Sequence, residues 1–130
     1  MSKRIVICGG CRTGKTTLAE RLAKETGHYL KGTDSLIEHA DWSRASEIAS
    51  YWFDIEGDWI VEGVAAVRAL RKWLARNPDG RPCDVCYWSN VAHVDLSLGQ
   101  HRMNQGCFTV WNQVRDELLV RGVRIEEFPA

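Results

Sequence analysis

The chain has 130 residues, and its 17 Lys and Arg residues balance 17 Asp and Glu residues, so the formal net charge is zero. Hydrophobic residues make up 45%, an ordinary share for a globular protein with one core. This balance excludes a strongly basic nucleic-acid coat protein and an acidic disordered tail. No apolar run approaches the roughly 18 residues of a membrane span, so no membrane association is predicted.

The first pattern along the chain is a short apolar run followed by a glycine-rich segment. Ile5-Val6-Ile7-Cys8 is apolar and β-branched, which predicts a buried parallel strand. Gly9, four further residues and then Gly14-Lys15-Thr16 satisfy the Walker A pattern in full. Helical spacing of apolar residues at 18–25 predicts a helix that Gly27 closes. The motif therefore has the strand, loop and helix context that a phosphate-binding loop requires.

The residue types of this loop suit nucleotide binding. Glycines let the backbone turn its N–H groups toward phosphate oxygens, and the helix start adds partial positive charge. Lys15 is expected to reach the β- and γ-phosphates, and Thr16 to offer its hydroxyl to Mg²⁺. ATP and Mg²⁺ are therefore the predicted cofactors. The predicted nucleotide-binding residues are Gly9, Gly10, Cys11, Arg12, Thr13, Gly14, Lys15, Thr16 and Thr17.

Beyond the loop, strand and helix patterns alternate to the end of the chain. Further strands are predicted at 28–32, 58–63, 84–88 and 123–128, and further helices at 43–53, 64–76 and 109–121. Such alternation predicts an α/β, three-layer fold with a mainly parallel five-stranded sheet and helices on both faces. Because no linker divides the sequence, residues 1–130 are predicted to form a single domain.

Acidic residues follow two of the predicted strands, where ligands collect in open parallel sheets. Asp34 follows the second strand, where it can orient an acceptor hydroxyl or instead cap the next helix. Glu62 ends the third strand after three apolar residues, which is the form of a Walker B segment that helps to hold Mg²⁺. The alternative for Glu62 is an ordinary surface acid.

Two further groups of residues are candidates for the acceptor side and for the transferred phosphoryl group. The polar segment 99–107 is predicted to be a loop, either an ordinary one or a lid that brings Arg102 to the developing charge. Arg68 and Arg71 share one helix face, which is either solvated or binds an anionic acceptor. Trp42 is either a core residue or a platform that stacks on an aromatic acceptor.

Five cysteines in a chain without an export signal predict reduced thiols and a cytoplasmic location. The pairs Cys8-x-x-Cys11 and Cys83-x-x-Cys86 have the spacing of zinc ligands. Cys11, however, lies inside the phosphate loop, and Cys83 and Cys86 flank a predicted buried strand, where cysteine acts as a small apolar residue.

The segment from Gly9 to Thr17, together with the order of elements, resembles the P-loop kinases of nucleosides, nucleotides and small metabolites. The resemblance implies a five-stranded parallel core, ATP with Mg²⁺, and phosphoryl transfer to a hydroxyl or phosphate. Asp34 and Glu62-Gly63 match positions where such kinases carry acceptor-binding or catalytic acids. Family members are usually longer, so the acceptor pocket is expected to be small or completed by a second subunit in a homodimer.

The function predicted from the sequence is that of a kinase for a small-molecule acceptor, with Lys15, Asp34 and Arg102 as catalytic residues. Thr16 and Glu62 are the predicted metal ligands. The predicted substrate-binding residues are Asp34, Trp42, Glu62, Arg68 and Arg71. The alternatives are a nucleotide-hydrolysing ATPase, a module that binds nucleotide without turnover, and a kinase of nucleic-acid ends or modified bases. Zero net charge disfavours a nucleic-acid partner, and a GTPase is disfavoured because no Asn-Lys-x-Asp segment is present.

Overall fold

The computed structural model describes residues 3–37, 41–89, 91–92 and 94–128, in which strands and helices alternate. The strands are β1 (Arg4–Gly9), β2 (Tyr29–Gly32), β3 (Trp59–Glu62), β4 (Val85–Ser89) and β5 (Arg124–Glu127). The helices are α1 (Lys15–Thr26), α2 (Asp34–Ile37), α3 (Trp42–Trp52), α4 (Ala66–Arg76) and α5 (Leu98–Val120). This order confirms the predicted α/β fold.

The strands form one sheet in the order β2-β3-β1-β4-β5, and every pairing is parallel. β1 lies at the centre, between β3 and β4, so the loop that follows it emerges at the middle of the carboxyl edge. Ligands bind at this edge in open parallel sheets. The topology therefore presents the Gly9–Thr17 loop where a ligand can reach it.

Helices cover both faces of the sheet, as alternate residues of β1 show. Val6 and Cys8 point into the larger core cluster, which α3, α4 and α5 close. Ile5 and Ile7 point into a smaller cluster that α1 closes. A strand buried on both faces must be apolar throughout, which explains the continuous apolar run of the sequence.

Two predicted helices have the expected ends and faces. α1 ends at Gly27, whose φ of 75° is left-handed and whose N–H donates to the Ala23 carbonyl oxygen. In α4, Val67, Leu70 and Leu74 recur at helical spacing and form a buried stripe. Amphipathic spacing and glycine caps are local signals, so they can be found without knowledge of the tertiary fold.

The predicted loop at 99–107 is wrong, because α5 already begins at Leu98 instead of at Thr109. A capping box starts this helix: the Ser97 hydroxyl accepts from the Gln100 N–H, and the Gln100 carboxamide accepts from the Ser97 N–H. Within this helix, Gly106 packs against α4, since a Cβ there would lie 2.9 Å from Nη2 of Arg68.

Although α5 has 23 residues, it is not apolar enough to span a membrane. Within the described ranges of the chain, no helix is both long enough and apolar enough to cross a bilayer.

Candidate active site

The phosphate loop joins the central strand β1 to α1 through two left-handed residues. Arg12 has a φ of 61° and Gly14 a φ of 85°, so the chain reverses and enters α1 with its first N–H groups facing the cleft. No side chain of the described residues caps this helix start. The N–H groups of Lys15, Thr16 and Thr17 have no acceptor within the helix, and such groups at a helix start bind anions.

Lys15 is buried and lies folded against its own loop. Its Nζ donates to the Gly10 carbonyl oxygen and lies 3.5 Å from Thr13 Oγ1. Burial lowers the pKa of Lys15, while the nearby carboxylates of Glu62 and Asp34 oppose that shift. An ammonium group that is held this way is desolvated and lies beside the loop amides.

Glu62 is a buried carboxyl group at the end of β3. β3 pairs with β1 on one side and β2 on the other, and Glu62 lies opposite Ile7 and Gly32. Burial, and to a lesser extent the Asp34 carboxylate, raise the pKa of Glu62 to about 7, although Lys15 opposes both effects. Its Oε2 has no hydrogen-bond partner among the described residues. Glu62 is therefore not a surface acid.

Tight packing joins the ends of β2 and β3. The Thr33 N–H donates to the Glu62 carbonyl oxygen at 2.8 Å, and Thr33 Oγ1 accepts from the Ala65 N–H at 3.4 Å. Gly63 has a φ of 136°, and a Cβ there would lie 1.9 Å from Thr33 Oγ1. This contact fixes the position of Asp34, the residue that follows Thr33.

One cavity of about 300 Å³ brings the loop and Asp34 together. Its lining residues are Cys11, Arg12, Thr13, Gly14, Lys15, Thr16, Thr17, Asp34 and Val64. Asp34 is the first residue of α2 and is exposed to this cavity. Two larger depressions lie away from the loop, one of them beside Arg4, which starts β1 at the opposite edge of the sheet.

The residues predicted for the acceptor side lie in different surroundings. The Arg68 guanidinium lies 5.4 Å from the centre of the Trp42 ring, and its Nη1 lies 3.4 Å from Cys107 Sγ. Arg71 donates to the Gln113 side chain at 2.9 Å. Neither arginine is simply solvated: both side chains link α4 to α5, and that of Arg68 also packs on the first residue of α3.

Arg102 lies in a helix and not in a loop, and one further residue, Asn104, contacts the phosphate loop. Arg102 is exposed in the first turns of α5, so its prediction as a loop residue is wrong, whereas a role in phosphoryl transfer stays a prediction. Asn104, which was not predicted as a site residue, is buried and forms hydrogen bonds with Cys11 in the phosphate loop. Its spacing along α5 matches that of the buried apolar residues, which is the signal that could have found it.

The cysteines lie apart from any metal-binding arrangement within the described ranges. No group of three or more potential ligands occurs there. Cys8 and Cys86 are buried with their Sγ atoms 3.9 Å apart, and Cys11 belongs to the phosphate loop. Burial raises the pKa of the Cys83 thiol, which keeps it in the uncharged form that suits an apolar core.

Solved structures with the same fold include two shikimate kinases. Shikimate kinase from Acinetobacter baumannii, in complex with shikimate, aligns with the whole of this chain and 84% of its own, at a TM-score of 0.55 and 12% identity. Shikimate kinase from Bacteroides thetaiotaomicron aligns with 98% of this chain and 86% of its own, at a TM-score of 0.54 and 14% identity. No protein-family model and no curated protein sequence matches the chain. The chain thus has the fold of the P-loop kinases.

Proposed function

We propose that this protein is an ATP-dependent kinase that transfers the γ-phosphoryl group to a hydroxyl or phosphate of a small acceptor. The observation that carries the proposal is the shared cavity, which is lined both by a complete phosphate loop and by a carboxylate, Asp34, from the end of β2. Catalysis of phosphoryl transfer requires mainly that the reacting groups are positioned and that the charge on the transferred group is stabilised. A loop and a carboxylate that line one cavity supply both.

The phosphate side of the cavity consists of backbone and one cation. The N–H groups at the start of α1 bind phosphate oxygens, and Lys15 turns from the Gly10 carbonyl oxygen to the β- and γ-phosphates. This exchange favours phosphate, because a carbonyl dipole compensates a buried ammonium group less well than an anion does. In the ligand-free protein, Lys15 therefore already lies next to the proposed phosphate-binding site.

The oxygen atoms of Thr16, which lines the cavity, and of Glu62, whose charge is coupled to the cavity residues Asp34 and Lys15, fit Mg²⁺. The buried Glu62 Oε2 lacks a hydrogen-bond partner among the described residues, and Thr16 lines the cavity. Carboxylate and hydroxyl oxygens are the ligands this ion prefers. Thr16 and Glu62 would hold it, and when bound the ion would neutralise negative charge on the phosphates.

The acceptor side extends from Asp34 toward α3 and α4. We assign to Asp34 the orientation of the acceptor hydroxyl and the acceptance of its proton. Arg68, which Trp42 and Cys107 hold in place, is suited to an anionic group on the acceptor, whereas Arg71 belongs to the contact between α4 and α5. The complex of the Acinetobacter baumannii enzyme with shikimate is consistent with a small-molecule acceptor. A role for Arg102 in phosphoryl transfer, and a second subunit that completes the pocket, stay predictions.

The test is formation of ADP from ATP and Mg²⁺ in the presence of pooled acceptors: nucleosides, nucleoside monophosphates, sugars, small hydroxy acids and oligonucleotide ends. Lys15→Ala is the inactive variant. Lys24→Ala is its matched control, because Lys24 is an exposed lysine on the same helix. We expect ADP with one pool only, its loss in Lys15→Ala and its retention in Lys24→Ala.

Other outcomes of this assay would replace the proposal. Equal ADP formation with every pool and with none would establish a hydrolase. Nucleotide binding without turnover in any pool would favour a binding module. Turnover only with oligonucleotide ends would make the acceptor a nucleic acid.

A further inference from the structure

The phosphate loop is held from outside by one side chain of α5. Asn104 Oδ1 accepts from the Cys11 N–H at 2.7 Å, and Asn104 Nδ2 donates to the Cys11 carbonyl oxygen at 3.3 Å. Both polar groups of one loop residue are therefore bound by one carboxamide, across 93 residues of sequence. A two-point contact of this kind fixes the orientation of the Cys11 backbone as well as its position.

Asn104 occupies a position that the fold otherwise gives to apolar residues. The buried side chains of α5 are Asn104, Cys107, Val110, Trp111, Val114 and Leu118. Asn104 is the polar member of this stripe and lies at the end next to the phosphate loop. A buried carboxamide without partners would destabilise the fold, whereas one paired with a backbone residue satisfies its donor and acceptor.

The absence of a side chain at Gly10 leaves room for the Asn104 carboxamide. A Cβ at Gly10 would lie 2.2 to 2.6 Å from three atoms of the Asn104 carboxamide, so the carboxamide rests against the bare Cα. On the inner side of the loop, the Gly10 carbonyl oxygen accepts from Lys15 Nζ and from Thr13 Oγ1. The contact with Lys15 would be lost if that side chain turned to phosphate, whereas the contact with Asn104 would remain.

We infer that Asn104 is a positioning residue, which holds the phosphate loop in its binding shape before nucleotide arrives. It touches the loop backbone and neither phosphate nor acceptor. A loop ordered in advance loses less conformational freedom on binding, so the contact strengthens nucleotide affinity. The contact also fixes the first half of α5 to the loop. The part of this inference that concerns nucleotide affinity rests on the proposed function; the part that concerns loop order does not.

The experiment compares Asn104→Ala, Gly10→Ala, the double variant and Asn112→Ala. Asn112 is an exposed asparagine on the same helix and is the matched control. Calorimetry gives the Kd of MgADP, hydrogen–deuterium exchange of the peptide that covers residues 9–17 reports loop order, and circular dichroism confirms that each variant is folded. A merely structural role for Asn104 would lower thermal stability without a local change in exchange.

We expect Asn104→Ala to weaken MgADP binding by about tenfold and to speed exchange in the loop peptide by a similar factor, since both hydrogen bonds to Cys11 are lost. Asn112→Ala should match the wild type. Gly10→Ala should resemble Asn104→Ala, because its methyl group displaces the carboxamide. The double variant should lose no more than about twofold beyond either single one, because both changes break the same contact.

Two results would overturn the inference. One is loop exchange in Asn104→Ala that matches the wild type. The other is a double variant whose losses multiply. If the wild type binds neither MgADP nor MgATP, the proposed function fails. The positioning inference is then judged on loop exchange alone, so the two failures can be told apart.

Discussion

At the scale of the residue, the burial of Glu62 conflicts, in the ligand-free protein, with the charge that its proposed role requires. It lies in the sheet, where burial raises the pKa of its carboxyl group to about 7, yet the proposed chemistry needs its charged form. Folding therefore favours the protonated carboxyl group between about pH 4.5 and 7. Because the folded chain binds more protons than the unfolded one there, stability falls as the pH rises through this interval.

We predict that Glu62→Gln removes this pH dependence. Glutamine stays neutral, so the variant should equal the wild type near pH 4.5. It should exceed the wild type by up to about 3 kcal/mol in free energy of unfolding at pH 8. Urea denaturation at several pH values, with EDTA and without nucleotide, measures the difference. A difference that stays constant from pH 4.5 to 8 would contradict the assignment.

Gly63 offers a second prediction at this scale. Gly63→Ala should lower the free energy of unfolding by about 3 kcal/mol or more, through left-handed strain together with a clash against Thr33. Gly57→Ala is the control, since Gly57 has a φ of 101° but no atom within 4 Å of its Cβ position. It should lose only the strain, about 1 to 2 kcal/mol. Equal losses in the two variants would show that the contact with Thr33 is unimportant.

The residues of the site differ in how well the sequence predicts them. Lys15 and Asp34 follow strands and Glu62 ends one, so the alternation of elements places all three at one edge of the sheet. Asn104 depends on a contact with Cys11 that no local pattern encodes. The environment of Arg68 was also beyond prediction, because its neighbours come from α3 and α5.

At the scale of the element, two glycines in α5 are the reason why its first part is predicted as a loop. Gly99 and Gly106 bound a polar segment, which is typical of a loop, and each costs about 1 kcal/mol relative to alanine in a helix. The helix forms because its capping box and its buried stripe outweigh that cost. The Ser97-x-x-Gln100 pattern of a capping box is present in the sequence, but the nearby glycines favour a loop over the helix that it predicts.

We predict that Ser97→Ala destabilises the protein by about 1 kcal/mol through loss of this cap. Gln105→Ala, an exposed change in the same helix, should alter stability by less than about 0.5 kcal/mol. Thermal and urea denaturation check both values. If the two variants are equally stable, the capping box does not determine where α5 begins.

At the scale of the whole molecule, the sequence predicts the class of fold but not its arrangement. Alternating strands and helices imply a parallel sheet, and the sheet is parallel throughout. Its strand order, β2-β3-β1-β4-β5, and the grouping of α3, α4 and α5 on one face are set by packing between distant elements. That order places β1 at the centre, and it brings the ends of β2 and β3 beside the phosphate loop.

The central claim is that the phosphate loop and Asp34 act on one transferred phosphoryl group. The most direct measurement compares wild type, Asp34→Asn and Asp79→Asn, an exposed aspartate in the turn after α4, for MgADP binding and for acceptor-dependent ADP formation. We predict that Asp34→Asn keeps MgADP affinity within about threefold but loses about 100-fold or more of the transfer rate, while Asp79→Asn keeps both. Transfer at the wild-type rate by Asp34→Asn would contradict the account.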